Sequence, residues 1–152
     1  MLSKDYTHQG WMKHALNLIS SSSEIKTEVP ICALIVKNNE LISYGFNEVE
    51  KKLNPTLHAE ITAISKACET LNTWRLNDTV LYCTLEPCSM CTGAIINARI
   101  PKIIFGAYDK DFGTCGTKIN LFHDLKKDVE VIGGILEEEC STLLKDFFNN
   151  LR

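Results

Sequence analysis

Apolar residues recur at mostly helical intervals in the first stretch of the chain. Trp11, Met12, Ala15, Leu16, Leu18 and Ile19 predict an amphipathic helix over residues 6–20, ended by the four serines at 20–23. Residues 31–36 form a compact apolar run with β-branched members, which predicts a buried strand. Asn38-Asn39 is a tight-turn pair, and residues 40–46 supply the second strand of a hairpin. Residues 47–57 are polar, hold Pro55 and predict a loop. Ile61, Ile64, Ala67, Cys68 and Leu71 share one face of a helix over residues 59–71. Residues 79–84 predict a strand. Pro87 is well placed to open a helix over residues 88–99, and Pro101 cannot continue it. A strand follows over 102–107, then a Gly-rich irregular stretch over 109–118. A short strand or extended piece over 129–132 precedes a final amphipathic helix over 136–151. Strand-helix-strand-helix-strand after a hairpin implies a mixed sheet of five strands with helices packed on its faces. No interior linker divides the chain, so residues 1–152 are expected to form one domain.

Composition narrows this little: 45% hydrophobic and 23% charged residues suit a globular protein with a real core. A net charge of -3 argues against a wholly basic surface for nucleic acid, although a local basic patch stays open. Lys51, Lys52, Lys110, Lys118, Lys145 and Arg152 are candidates for such a patch, each equally readable as solvated surface. The first residues lack the pattern of a secretory signal, and no apolar run reaches the roughly 18–20 residues of a membrane span. Seven cysteines, an odd number, read as reduced thiols, so a cytoplasmic location is expected.

Three residues change the picture most. His58, followed by Ala59 and Glu60, and the Cys88–Cys91 pair behind Pro87 make three zinc-type ligands. Zinc wants four, and a three-ligand site with an open position is catalytic rather than structural. A water held there can drop from a pKa near 15.7 to about 7. His58 and both cysteines fall at predicted helix starts, where partial positive charge favours thiolates. Cys88 and Cys91 are one turn apart and can face one ion. Glu60 is not needed as a ligand and is free to move protons, which suits hydrolytic loss of ammonia from an amidine-like carbon. Taken alone, the Cys pair also fits a redox pair or half of a structural zinc site, which Cys68 or Cys83 could close. The other cysteines are expected to be buried, with Cys83 a weaker candidate for contact with the site. His8, His14 and His123 belong to no motif, and Trp11 and Trp74 read as packing.

The H-x-E and P-C-x-x-C pattern is the signature of zinc deaminases acting on nucleobases. The chain resembles the bacterial tRNA adenosine deaminases, which convert wobble adenosine in the anticodon to inosine. The likeness runs through Glu28-Val29-Pro30, Gly45-Phe46-Asn47, the segments around His58 and Cys88, Phe105-Gly106-Ala107, Glu138-Glu139-Cys140 and Phe147-Phe148. It implies a cytidine-deaminase-like three-layer α/β/α sandwich. It implies zinc on His58, Cys88 and Cys91, with Glu60 as acid and base. Asn47 is then a hydrogen-bonding partner of the purine, Ile31 and Leu85 are walls of the base pocket, and the Ala59 N–H meets the substrate edge. Asp109 would contact the nucleotide beside the base. The partners implied are a tRNA anticodon stem-loop and a second copy, in a homodimer that completes each active site. Cys32 stands where Gly is common in that family, and Tyr108 where Arg is common. Guanine, cytosine and deoxycytidylate deaminases share the shorter motif, so a free-base or nucleotide deaminase is the alternative. A non-catalytic zinc-stabilised RNA-binding protein is a third.

Overall fold

The computed structural model describes residues 6–23 and 26–151. Arg152 lies outside them. Helix α1 (His8–Ser21) begins where Thr7 Oγ1 accepts from the Gly10 N–H at 2.9 Å. Strands β1 (Cys32–Lys37) and β2 (Glu40–Phe46) form the hairpin. Asn38 and Asn39 both take positive φ, at 50° and 59°, as a two-residue turn matched to strand twist requires. Helices α2 (Val49–Lys52) and α3 (Ala59–Leu71), strand β3 (Val80–Leu85), helix α4 (Ser89–Asn97) and strand β4 (Lys102–Ala107) follow. The chain closes with α5 (Leu121–Asp124), β5 (Glu130–Ile132) and α6 (Glu137–Asn150).

The five strands lie in the order β2-β1-β3-β4-β5. β1 runs antiparallel to both neighbours, whereas β3, β4 and β5 are parallel. This is the mixed sheet expected from the pattern. Both faces are covered. Ala33, Ile35, Leu81, Cys83, Ile103 and Phe105 pack toward α3, α4 and α5 with Ala63, Ile95 and Phe122. Cys32, Leu34, Val36, Tyr82 and Ile104 pack toward α1 and α6 with Met12, Ala15 and Cys140. Alternate residues of β1 therefore enter opposite layers, which is why the strand reads as an unbroken apolar run.

Two short elements depart from the sequence reading. The 47–57 stretch, expected to be a loop, contains α2, and α5 follows the irregular stretch. Neither is long enough to show a period. Trp74 also departs: it is 50% exposed with the Arg75 guanidinium 4.4 Å from its ring, whereas Trp11 packs in the core. Among the described residues no helix is long and apolar enough to cross a membrane.

Strand direction positions the site. Because β1 opposes β2, β3 and β4, its start shares one edge of the sheet with their ends. Ile31, Asn47, Glu86 to Cys88, and Tyr108 to Asp109 leave or enter the sheet at that edge. Clefts of open α/β sheets form at this edge, outside the carboxyl ends of the parallel strands.

Candidate active site

His58 is the N-cap of α3 and Cys88 the N-cap of α4. An N-cap side chain usually turns back to accept an orphan N–H of its helix. Neither of these makes a cap bond; they point toward each other instead. His58 Nδ1 lies 3.5 Å from Cys88 Sγ and 3.5 Å from Cys91 Sγ. One ring nitrogen has a single hydrogen or lone pair to divide between the two sulfurs. A shared tetrahedral zinc, with Zn–S near 2.3 Å and Zn–N near 2.0–2.1 Å, would set N···S separations of about 3.5–3.6 Å. The donor set and its spacing therefore fit a metal ion. Among the described residues no other His, Cys, Asp or Glu joins this group, so Cys68 and Cys83 do not close it.

The two cysteines are shifted in opposite directions. The Cys88 thiol is pulled down to about 4, chiefly by its hydrogen bond with Cys91, and His58 also lowers it. Cys91 is pushed the other way, first by Cys88 and then by burial. The opposite shifts arise because two adjacent thiolates repel. A divalent cation between them would offset that repulsion. Hydrogen bonding to Cys88 raises His58. Glu60, in the first turn of α3, is 4% exposed. Burial raises its pKa.

Close packing of α3 on β2 sets where these groups stand. A Cβ on Gly45 would lie 2.6 Å from the Ala59 carbonyl oxygen and 2.7 Å from the Ala63 nitrogen. Glycine alone lets the helix start sit against the strand end that leads to Asn47. The Asn47 side chain is 8% exposed, and its Oδ1 is buried without a hydrogen-bond partner among the described residues. Such a vacant acceptor costs about 1–3 kcal/mol unless a ligand uses it. Ala59 is buried at the first position of α3. Ile31 and Leu85 are both half-buried, but Ile31 packs on the layer of α3 and α4 and Leu85 on that of α1 and α6.

Asp109 follows β4. Its Oδ1 accepts from the Asp111 and Phe112 N–H groups at 3.0 Å each, and its own N–H donates to Glu86 Oε1 at 3.2 Å. Glu86 is the residue that sequence reasoning missed. It is 2% exposed, and its Oε2 accepts from the N–H groups of Cys115 and Thr117 at 3.1 and 3.2 Å. The Thr117 hydroxyl donates to Oε1. Thr114 also donates to the Pro87 carbonyl, through its N–H at 3.1 Å and its hydroxyl at 3.3 Å. The loop after β4 is thus fastened to the segment carrying Cys88. Of the proposed phosphate-binding cations, Lys52 pairs with Glu48 at 3.3 Å, while Lys110, Lys118 and Lys145 are exposed.

A His/Cys/Cys set with a buried carboxyl at one end of an α/β/α sheet has the parts of a metal-dependent deaminase. A model of the MafB19-like deaminase family matches residues 6–152. The chain is 43% identical over 144 residues to a tRNA-specific adenosine deaminase of Bacillus subtilis, covering 93% of this chain and 89% of the relative. It superposes at a TM-score of 0.81 and 36% identity on a structure from studies of A-to-I editing by tRNA deaminases at the wobble position, covering 88% of this chain and 97% of the other. A guanine deaminase of Bacillus subtilis matches at a TM-score of 0.63 and 31% identity, with 94% of each chain covered. The chain belongs to the family of tRNA-specific adenosine deaminases, within the MafB19-like deaminases.

Proposed function

We propose that this protein hydrolytically deaminates adenosine to inosine at the wobble position of a tRNA anticodon, with one zinc ion held by His58, Cys88 and Cys91. The observation behind it is the equal spacing of His58 Nδ1 to both sulfurs beside a buried Glu60. Bound zinc supplies acidity to water at neutral pH. Glu60 takes a proton from the attacking water and delivers it to the adjacent ring nitrogen as the purine carbon becomes tetrahedral. It then carries the second proton to the departing amine, so water and adenosine leave as ammonia and inosine. Asn47 offers its vacant Oδ1 and its amide N–H groups to the base edge. The Ala59 N–H, Ile31 and Leu85 bound the base, and Asp109 meets the neighbouring nucleotide. An anticodon loop is single-stranded, so its bases can be splayed into a pocket at little unpairing cost.

The protein acts as one domain spanning residues 1–152 and as a homodimer, and it works in the cytoplasm. The dimer is what the resemblance to the tRNA adenosine deaminases implies, and seven free thiols suit a reducing compartment. A free-base deaminase is the second reading, favoured by the likeness to guanine deaminase.

The test offers purified protein an anticodon stem-loop with wobble adenosine, and separately guanine, cytosine and adenosine. Inosine in the RNA is expected; turnover of a free base without the RNA would sink the proposal. Glu60→Ala is expected to keep one zinc per chain by metal analysis and to release no ammonia. Wild-type turnover by that variant would remove Glu60 from the chemistry.

A further inference from the structure

Tyr108 ends the run from β4 into the Glu86-fastened loop, immediately before Asp109. It stands at the sheet edge that carries His58, Cys88 and Asn47. The residue is 45% exposed, yet its ring is held from behind. The Phe105 ring meets it edge-to-face, with centroids 5.2 Å apart and planes at 90°. Gly133 and Gly134, just past β5, make the seat. A Cβ on Gly133 would come 3.0 Å from Tyr108 Cε1 and 2.4 Å from Phe105 Cζ. A Cβ on Gly134 would come 3.0 Å from the Tyr108 hydroxyl, and the backbone there has φ of +83°. Gly133 thus leaves room for the Phe105 and Tyr108 rings together, and Gly134 for Tyr108. Its neighbours Asp109 and Lys110 give it a carboxylate and an exposed ammonium on the same turn.

A tyrosine packed merely to fill the core would not keep nearly half of its surface in water. One that solvated a loop would not need a seat of two glycines and an orthogonal phenyl ring. A ring fixed on one side and open on the other stacks at little entropic cost, since its rotamer is already set. Every base has a π-face, so such a platform tolerates sequence while it orients the strand. We propose that Tyr108 is a positioning residue that stacks on a nucleotide base flanking the target adenosine in single-stranded RNA. This rests on the reading of the site as one that edits an anticodon loop.

The experiment measures kcat and KM for wild type, Tyr108→Ala and Tyr108→Phe. The substrates are an intact wobble-adenosine stem-loop and two others, one abasic at the nucleotide 5′ to the adenosine and one abasic 3′ to it. On the intact RNA, Tyr108→Ala is expected to raise KM about tenfold with kcat at saturation held within about twofold, and Tyr108→Phe to behave as wild type. One abasic RNA is expected to raise the wild-type KM by a similar factor and to make wild type and Tyr108→Ala equal. An unchanged KM for Tyr108→Ala overturns the stacking role. So does a KM increase for Tyr108→Ala that persists undiminished on both abasic RNAs, which would mark a structural defect. Wild type that edits none of the RNAs overturns the editing reading and this inference with it. Wild type that edits them equally well, with or without a flanking base, overturns only the inference.

Discussion

At the scale of single residues, chemistry carried by side-chain type was legible and chemistry carried by backbone groups was not. His58 and Glu60 are two apart, and Cys88 and Cys91 are three apart, so their types and spacing announce a metal and a base. Glu86 announces nothing. Its donors are the Asp109, Cys115 and Thr117 N–H groups, 23 to 31 residues away, and backbone N–H groups carry no residue signature. Trp74 misled for the opposite reason, since a large ring suggests burial while the fold leaves it under Arg75 at the surface. Glu86→Gln puts an amide NH2 where one acceptor oxygen faces donors. It is expected to lower unfolding stability by about 1–3 kcal/mol and to raise KM for the stem-loop more than it lowers kcat. A denaturation midpoint equal to wild type would show that the carboxylate does not hold the loop.

At the scale of elements, long periodic segments were read nearly to the residue. The helix over 59–71 and the strands over 40–46 and 102–107 stand as expected. The four-residue helices α2 and α5 were missed because one turn has no period. For α5 a local signal existed: Asn120 Oδ1 accepts from the His123 N–H at 3.1 Å, an N-cap legible as Asn before a short apolar pair. How α3 docks is a different matter, because Gly45 in a strand pattern signals close approach without naming the partner. Gly45→Ala drives a methyl into the Ala59 carbonyl and the Ala63 nitrogen. The expected cost is about 1–3 kcal/mol, read as a lower urea midpoint at unchanged slope. A wild-type midpoint would mean that helix and strand can part there without penalty.

At the scale of the whole molecule, strand order turns scattered residues into a site. The sheet order places the start of β1 and the ends of β2, β3 and β4 at one edge, so Ile31, Asn47, Cys88 and Tyr108 become neighbours of that edge. If the homodimer forms, sedimentation equilibrium at micromolar concentration should give twice the 17.1 kDa chain mass, and a single chain mass would remove the dimer. By itself the sequence determined the layered α/β class and singled out His58, Cys88 and Cys91, with Glu60 beside them, as one candidate group. Apolar period follows from local backbone geometry, and metal ligation follows from donor type and spacing. Only the tertiary structure decided that His58 reaches sulfurs 30 and 33 residues away at 3.5 Å, that Glu86 fastens the loop of Asp109, and that Tyr108 is seated with one side open. Those depend on which strands pair and on the backbone approach at Gly45, Gly133 and Gly134. No residue encodes such contacts alone, because each is made between segments that meet only after the sheet has formed.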